Sequence, residues 1–457
     1  MAEQLTDEEG CSTNEPHGPG FGDRGTFIDL FAGCGGFSLG LMNAGWKGVF
    51  AIEKNPLAFE TLKHNLVEPG SRLKFDWPEW LPKEPHEIGA FITGYRKQLK
   101  ALQNQVDLIV GGPPCQGFSF AGKRRHDDER NELFLRYIRV VTLVRPKYLL
   151  LENVTGIQVA HGKKERALQP RRGRPPKAFS EKIRSALERV GYEVHSKVLR
   201  ASAYGVAQHR PRFIILGVRR DQLSENQVDP FHVLAGLREH FLLRKGFPTD
   251  RPITASEAIS DLTVIRNGKQ PSTDTRGFSE IAYKGPVTEY QGLLNGPGVR
   301  PNSLRLPNHR PDTVKRFSEI LETCRKGVVL SMKDRERLGL KKHHTVVLHH
   351  NEPSHTLTTL PDDLLHYEEP RILTVRECAR LQSFPDWFEF RGKYTTGGAK
   401  RKQEAPRYTQ VGNAVPPILA ECLGELLLEV QQQLATCTPE RARQKPAPAS
   451  YAELRLL

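Results

Sequence analysis

The sequence has few cysteines, and none of its seven stands in a Cys-x-x-Cys pair. This scatter argues against a zinc site or a disulfide framework and favours a reducing compartment such as the cytoplasm. No run of about 18 apolar residues is present, so no membrane-spanning helix is expected. Residues 1–20 are polar and acidic, unlike a signal peptide. Together these absences argue against a membrane protein and against a disulfide-stapled secreted domain.

Basic residues outnumber acidic ones, 67 to 53, which gives a formal net charge of +14. A surface of this sign attracts polyanions by Coulomb steering and by release of their counterions. An excess of charge also serves ordinary solubility, so charge alone does not identify the partner. Whether that partner is a nucleic acid has to be decided from the motifs.

Short apolar runs alternate with amphipathic stretches over the first half of the chain. The runs TFIDLF, GVFAIE, VDLIVGG and KYLLLEN resemble buried strands, and the stretches between them have helical periodicity. This alternation predicts an α/β fold with a doubly wound, mostly parallel sheet. The regularity fades over residues 221–370, where a second, smaller irregular domain is expected. It returns before a long C-terminal helix that begins at a proline.

A glycine-bearing turn, GCGG at residues 33–36, follows the first predicted strand. Glycines let the backbone turn sharply and approach a ligand, and ligands of such sheets bind at the carboxyl ends of strands. Ser38 stands where the dinucleotide fingerprint requires a third glycine, so a dinucleotide is disfavoured. Glu53 ends the second predicted strand, where a carboxylate can accept both hydroxyls of a ribose. By themselves these features are also compatible with a purely structural turn.

Cys115 lies in a loop rich in proline and glycine, GGPPCQGFS, directly after a predicted strand. An accessible thiol in such a loop is a candidate nucleophile, and a packed loop cysteine is the alternative. Glu152 ends the next predicted strand, so the two side chains are expected on one rim. A carboxylate beside a thiolate suits a reaction in which Glu152 hydrogen-bonds or protonates a ring nitrogen of a substrate attacked by sulfur.

Arg210 and Arg212 flank a proline in the segment QHRPR, at the start of a predicted strand. Because side chains two residues apart in a strand point to the same face, both are expected to face one anion or carbonyl. An isolated arginine pair more often forms surface salt bridges, and that alternative stays open.

Six segments resemble, in order, the motifs of the cytosine-5 DNA methyltransferase family, of the bacterial restriction-modification type. They are DLFAGCGGFSLGL, GGPPCQGFS, ENV, QHRPR, RILTVRECARLQSFPD and YTQVGNAVPP, within residues 26–219 and 371–433. The resemblance implies a DNA (cytosine-5-)-methyltransferase that uses S-adenosylmethionine, acts on double-stranded DNA and is cytoplasmic and nucleoid-associated. We expect it to be a monomer. Since chemistry at C5 cannot take place among stacked bases, the target cytosine is expected to be flipped out of the duplex.

The resemblance also implies roles for individual residues. Cys115 matches the nucleophile that adds to C6 of cytosine, and Glu152, Arg210 and Arg212 match residues that contact the substrate ring. The positions that match cofactor contacts are Phe31, Gly33, Gly35, Glu53, Asp76, Pro113, Leu133, Asn413 and Val415. Asp76, as the carboxylate facing the adenine, rests on the loosest match, RLKFDWPEW.

The chain is expected to divide into five parts. They are a disordered segment (1–24), a catalytic and cofactor-binding domain (25–220) with a basic insert (161–177), a target-recognition domain (221–405), a C-terminal helix returning to the catalytic domain (406–435) and a disordered tail (436–457).

In the insert, RRGRPPK resembles an AT-hook, so Arg172 and Arg174 are predicted to enter a minor groove. A basic loop that only touches phosphates is the alternative. Five histidines cluster between residues 343 and 355 without nearby cysteines, and no metal site is expected there.

Three other functions compete with this one. An RNA substrate would keep the chemistry, but PPCQGFS is intact here, whereas the tRNA-acting relatives typically depart from it. A DNA-binding regulator without catalysis is disfavoured because Cys115, Glu152, Arg210, Arg212 and Asn413 are all retained. A nicotinamide-dependent oxidoreductase is disfavoured by the interrupted glycine pattern and by the cysteine loop.

Overall fold

A computed structural model of the chain describes residues 25–114, 129–158, 178–223, 228–396, 400 and 403–436. Cys115, the basic insert and both chain termini lie outside these residues, and so do the predictions made on them. The described part is organised around one six-stranded sheet that is covered by side chains and helices on both faces.

The first four strands of the central sheet coincide with the four predicted apolar runs, and two further strands complete it. They are β1 (Thr26–Leu30), β2 (Lys47–Ile52), β3 (Leu108–Gly111), β4 (Tyr148–Asn153), β5 (Tyr192–Arg200) and β6 (Pro211–Arg219). Their order is β2-β1-β3-β4-β6-β5, and β6 alone runs against its two neighbours in the sheet. Five strands therefore point the same way, which confirms the predicted α/β sheet of mostly parallel strands. Because β6 is reversed, its first residues lie at the same edge as the last residues of β1 to β4.

Both faces of the sheet are buried around its inner strands β1, β3, β4 and β6, which explains why these strands are mostly apolar. Neighbouring residues such as Ile109 and Val110 belong to different hydrophobic clusters because successive side chains point to opposite faces. The helices within the described residues are α1 (Gly36–Asn43), α2 (Pro56–Leu66), α3 (Ile88–Gly94), α4 (Arg96–Ala101), α5 (Glu129–Val144), α6 (Phe179–Arg189), α7 (Pro230–Arg244), α8 (Ala255–Ile259), α9 (Val264–Asn267), α10 (Glu289–Asn295), α11 (Pro311–Thr323), α12 (Met332–Arg337), α13 (Val375–Leu381), α14 (Arg407–Asn413) and α15 (Pro417–Thr436).

The stretch predicted to be irregular contains more helix than its sequence pattern indicates. It holds α7 and α11, of 15 and 13 residues, and short strands β7 (Lys269–Pro271), β8 (Ser279–Ile281), β9 (Val346–Val347) and β10 (Leu364–Leu365). The apolar residues of α7 are spread around the helix, with Leu243 exposed, so its sequence lacks a clear 3.6-residue period. The signal that could have found it is its start, where Asp229 accepts the N–H of Phe231 and a proline opens the first turn.

Helix α15 brings the C-terminal part of the described chain onto the sheet domain, where it packs against α1 and α7. By length and composition alone, the helical stretch 407–436 is apolar enough to cross a membrane, although the sequence analysis expected no such helix. Within this stretch, 89% of the most apolar window is buried inside the protein. Its apolar character is therefore that of a core helix.

The contact between α1 and α15 depends on glycine at its closest point. A Cβ atom placed on Gly40 would lie 2.3 Å from the carbonyl oxygen of Pro417 and 2.5 Å from Cβ of Ala420. Any larger residue at position 40 must push the two helices apart, because the neighbouring atoms belong to backbone and to a short side chain. The close approach matters for the site because α1 follows directly from the glycine-bearing turn.

We expect Gly40→Ala to lower the free energy of unfolding by about 1–3 kcal/mol through overpacking. Gly236→Ala is the matched control, since Gly236 also lies inside a helix, and a Cβ atom placed on it would meet no described atom within 4 Å. That control should raise stability by about 0.5–1 kcal/mol, because alanine is the better helix former. Urea unfolding followed by circular dichroism measures both, and equal effects of the two variants would contradict the packing argument.

Candidate active site

The carboxyl ends of the parallel strands and the start of β6 meet at one edge of the sheet. Gly111 on β3 pairs with Leu151 on β4, and Glu152 on β4 pairs with Ile214 on β6. The register therefore brings the end of β3, the side chain of Glu152 and the first residues of β6 to one rim. The glycine-bearing turn after β1 and Glu53 after β2 continue the same rim on its other side.

The glycine-bearing turn has the backbone that only a few residue types adopt easily. Gly33 and Gly35 have φ angles of 57° and 95°, and Phe31 has a φ of 63°. No described atom lies within 4 Å of a Cβ position on Gly33, so the turn is open on that side. The N–H groups of Gly33 and Asn55 donate to the two carboxylate oxygens of Glu53, at 2.9 and 2.7 Å. The turn and the carboxylate are thus held in one fixed relation, each oxygen keeping a lone pair for a ligand.

Below this turn lies an acid that the sequence analysis missed. Asp29 is almost fully buried on β1 and accepts a 2.5 Å hydrogen bond from the hydroxyl of Ser38. Burial raises the pKa of Asp29 to about 7; the Ser38 bond opposes the shift and the neighbouring Glu53 adds to it. Burial also raises the pKa of Glu53. Ser38, which the sequence analysis treated only as a mismatch to glycine, therefore has a partner of its own.

On the other side of the rim, Glu152 and Arg212 form a buried ion pair. Arg212 Nε lies 2.6 Å from Glu152 Oε1, and both side chains are about nine-tenths buried. Gly112 passes beside the pair, since a Cβ atom placed on it would lie 3.6 Å from Glu152 Oε2. The side chain of Asn153 donates to the carbonyl of Pro113 at 3.4 Å, which ties β4 to the residues that lead into the cysteine loop. Two predicted site residues, Glu152 and Arg212, thus lie together where that loop begins.

Arg210 does not share the environment of Arg212, so the prediction that both arginines face one group is wrong. Arg210 precedes β6 with a φ of 24° and is almost fully buried. Its guanidinium donates to the carbonyl oxygens of Leu357, Gly412 and Ala414, at 3.3, 3.0 and 2.8 Å. The strand alternation expected for the pair fails because Arg210 lies outside the strand. Arg210 therefore positions the backbone of the last motif.

Two glutamines that the sequence analysis did not single out complete this junction. Gln208 donates to the side-chain oxygen of Gln382 at 3.1 Å, and Gln382 donates to the carbonyl of Val411 at 2.8 Å. The segment between α14 and α15 packs closely against α1, because a Cβ atom placed on Gly36 would lie 2.5 Å from the carbonyl oxygen of Val415. Val415 therefore lies beside the glycine-bearing turn. Local sequence patterns do not report the glutamine contacts.

Asp76 lies away from the other cofactor candidates. Its N–H donates to the carbonyl of Gly48 at 2.7 Å, near the amino end of β2, and its side chain is exposed. Glu53 is five residues further along, or roughly 16 Å of strand. His86, whose N–H donates to the carbonyl of Glu53 at 2.9 Å, lies at the rim instead. The structure therefore gives no support to Asp76 as the carboxylate that faces the adenine.

Two further candidates lie on helices. Asn413 is exposed at the end of α14, and Leu133 is half-buried on α5.

The histidines of residues 343–355 make separate contacts; for example, His355 Nε2 lies 2.9 Å from the carbonyl of Gly327. Within the described ranges, no group of three or more metal-ligating side chains converges.

The penultimate motif is a buried framework of paired charges. Arg371 binds Glu377 through two 2.7 Å hydrogen bonds, and Arg380 is enclosed by the carboxylates of Asp386 and Asp261. All seven residues of α13 are buried. Charges at this depth are tolerated only when paired, so the motif braces residues of its own surroundings and does not present its charges to solvent.

A family model described as C-5 cytosine-specific DNA methylase matches residues 25–429. Type II methyltransferase M.DdeI of Desulfomicrobium norvegicum is 31% identical over 407 residues, covering 87% of each chain. Type II methyltransferase M.XorII of Xanthomonas oryzae pv. oryzae is 30% identical over 419 residues, covering 88% of this chain and 84% of the relative. A crystal structure of an Escherichia coli prophage-encoded DNA modification methyltransferase has a TM-score of 0.59 at 24% identity, covering 89% of this chain and 99% of that one, which supports a shared fold.

The raised pKa of Asp29 predicts a pH dependence of stability. Between about pH 4 and 7 the folded protein keeps a proton on Asp29 that the unfolded chain has lost, so this group's contribution to stability falls as pH rises through that window. Asp29→Asn should remove a decline of up to about 1.4 kcal/mol per pH unit. Asp76→Asn, at an exposed carboxylate, is the control. Urea unfolding at pH 5, 6 and 7 tests this, and parallel profiles for wild type and Asp29→Asn would contradict it.

Proposed function

This chain belongs to the C-5 cytosine-specific DNA methylase family and is a DNA (cytosine-5)-methyltransferase, and from that premise we propose how its residues carry out the reaction. Its methyl donor is S-adenosylmethionine, its nucleophile is Cys115, and its substrate is a cytosine flipped out of double-stranded DNA. The observation that carries the proposal is the buried pair of Glu152 and Arg212 at the start of the Cys115 loop.

The turn after β1 fits a cofactor with a ribose. Gly33 leaves open space above the turn, and both oxygens of Glu53 are oriented by backbone N–H groups, so the carboxylate is ready to accept ribose hydroxyls. We assign Phe31, Gly33, Gly35, Glu53, Pro113, Leu133, Asn413 and Val415 to this site. When bound, S-adenosylmethionine supplies an electrophilic methyl group. The contribution of the protein is a rigid cradle whose shape is set by the closely packed α1.

On the substrate, the proposed bond changes begin at Cys115. Its thiolate adds to C6, the electrons of the ring shift to N3, and Glu152 provides a proton or hydrogen bond there. C5 then has enamine character and takes the methyl group. Loss of the C5 proton to a base expels the Cys115 thiolate, and a proton given to N3 returns to Glu152, which restores the ring. Arg212 keeps the Glu152 carboxylate aimed at the rim and adds positive charge where the ring becomes electron-rich.

The second region is assigned to reading the target sequence, over residues 221–405. Its support is the direct connection to the rim, since Ser354 exchanges backbone hydrogen bonds with the segment before β6: its N–H donates to Ala207 O at 3.0 Å and its carbonyl accepts from His209 at 2.9 Å. A domain attached there stands beside the pocket that receives the base. Bacterial restriction-modification relatives fit a cytoplasmic enzyme with DNA as its partner.

We expect Cys115→Ala to abolish methyl transfer to duplex DNA while cofactor affinity, measured by calorimetry, stays within about twofold, because the substitution removes the nucleophile alone. Cys324→Ala, at a buried cysteine of the second region, is the control and should stay active. Duplex DNA with 5-fluorocytosine should form a denaturation-resistant adduct with wild type and none with Cys115→Ala, because fluorine cannot leave as a cation. An active wild type that forms no adduct would refute the covalent scheme, and methylation of tRNA in place of duplex DNA would refute the substrate.

The basic insert is proposed to contact the DNA flanks through Arg172 and Arg174. If the arginines enter a minor groove, replacing both by alanine should weaken binding only when the target site has A·T-rich flanks. Fluorescence anisotropy with A·T-rich and G·C-rich flanks, at several salt concentrations, gives the comparison. An equal loss on both flanks, with a smaller salt slope, would show phosphate contact alone, and no loss would exclude the insert from binding.

A further inference from the structure

One arginine of the second region is clamped between aromatic rings and has no carboxylate partner among the described residues. The guanidinium carbon of Arg305 lies 4.2 Å from the ring centre of Phe278 and 3.7 Å from that of Tyr394. The guanidinium of Arg407 lies 4.3 Å from the same Tyr394 ring. Since two planar groups cannot share one face of a ring at these distances, the four side chains form a stack in the order Phe278, Arg305, Tyr394, Arg407.

Backbone pairing places Arg305 in this stack. Its segment lies antiparallel to β8, with Arg305 opposite Glu280 and with Leu306 N–H donating to Ser279 O at 2.8 Å. Glu280 would be the natural ion-pair partner across such a bridge. It accepts instead from Arg300 at 2.7 Å and from the side chains and backbone of residues 270–273.

The charges around Arg305 in the described part of the chain are balanced except for its own. Asp274 is engaged by Arg407 and by the hydroxyl of Tyr394, and Lys393 is paired with Glu404 at 3.0 Å. Among the described residues, Arg305 Nε is buried without a hydrogen-bond partner. Burial lowers the pKa of the Arg305 guanidinium, and the nearby Arg407 adds to this. A half-buried guanidinium whose charge no carboxylate neutralises is energetically costly unless an anion binds it.

The stack borders an open cavity of about 280 Å³. Its lining consists of Arg305, Arg407, Lys393, Tyr394, Asp274, Gly392 and two threonines, Thr275 and Thr395. Three cationic side chains, two hydroxyl donors and one neutralised carboxylate make a lining suited to an oxyanion. The aromatic clamp fixes the plane of the guanidinium, which leaves its remaining N–H groups to meet two oxygens side by side.

We propose that this cavity, which we call the Arg305 site, binds a phosphate-type oxyanion by a bidentate contact with Arg305. A phosphate diester of the DNA backbone and a free phosphate or nucleotide share this chemistry. The DNA source rests on the proposed function, because it presumes duplex DNA as substrate; the free-phosphate source does not. Neither Glu152 nor Arg212 lines the cavity, so its occupant is a second ligand contact and not the reacting base.

The test compares Arg305→Gln with Arg96→Gln, which removes the same charge from an exposed position on α4. Inorganic phosphate, balanced against sodium chloride at equal ionic strength, should raise the Tm of wild type and Arg96→Gln by roughly 2 °C at ten times its Kd. Arg305→Gln should lose this shift. The Arg305 site is refuted if phosphate does not raise the Tm of wild type, or if it raises the Tm of Arg305→Gln by the same amount.

Binding of a duplex DNA oligonucleotide then identifies the source. If the anion is a backbone phosphate, Arg305→Gln should bind roughly tenfold more weakly than Arg96→Gln, and its slope of log affinity against log salt should be smaller by about 0.9. An unchanged slope, together with a lost phosphate shift, assigns the site to a free phosphate or nucleotide. Neither the Tm shift nor DNA binding requires methyl transfer, so a negative result in either leaves the proposed function untouched. Both can be measured whatever the activity of Cys115→Ala proves to be.

Circular dichroism checks that Arg305→Gln is folded. Where it is not, Phe278→Leu replaces it, because that change removes one face of the clamp and leaves the charge of Arg305 in place. It is expected to show the same losses to a smaller degree. A folded Phe278→Leu protein with the full phosphate shift and the wild-type salt slope overturns the clamp as the basis of binding.

Discussion

The buried guanidinium of Arg210 is the contact on which the arrangement of this protein depends. It joins carbonyl oxygens that lie 147 to 204 residues away in the sequence, and it is almost fully buried. Buried carbonyls must find donors, and one charged group with a planar fork serves three of them at once. Gln208 and Gln382 extend the junction by neutral hydrogen bonds. These hydrogen bonds therefore hold the last motif, YTQVGNAVPP, next to the glycine-bearing turn.

A second consequence follows from the reversal of β6. In a sheet of parallel strands alone, the start of a strand lies at the opposite edge from the ends of the others. The antiparallel pairing of β6 with β4 brings Arg212 to the edge where Glu152 ends its strand. Removing one partner of a buried ion pair costs about 3–5 kcal/mol, because the other charge is left uncompensated. The residues proposed for chemistry are thus also part of what keeps the rim in place.

Charged side chains in the second region fall into two groups that differ in their partners. Arg371 and Arg380 are buried and surrounded by carboxylates of the same chain, so they act as internal supports. Arg305 has aromatic faces in place of carboxylates and borders a cavity. The same residue type therefore serves stability where its charge is matched and recognition where it is not. This contrast fits a chain whose formal charge is +14 and whose substrate is a polyanion.

The sequence by itself determined the sheet, the glycine-bearing turn and the position of Glu152, because strand periodicity, glycine placement and strand ends are properties of neighbouring residues. It also carried six motifs in the order of one family, which identified the reaction. The tertiary structure alone decided that Arg210 serves backbone carbonyls, that Asp76 lies at the wrong end of β2, and that Ser38 binds Asp29. Those outcomes depend on which distant segments meet and on how deeply they are buried. Local patterns do not record a partner that is two hundred residues away.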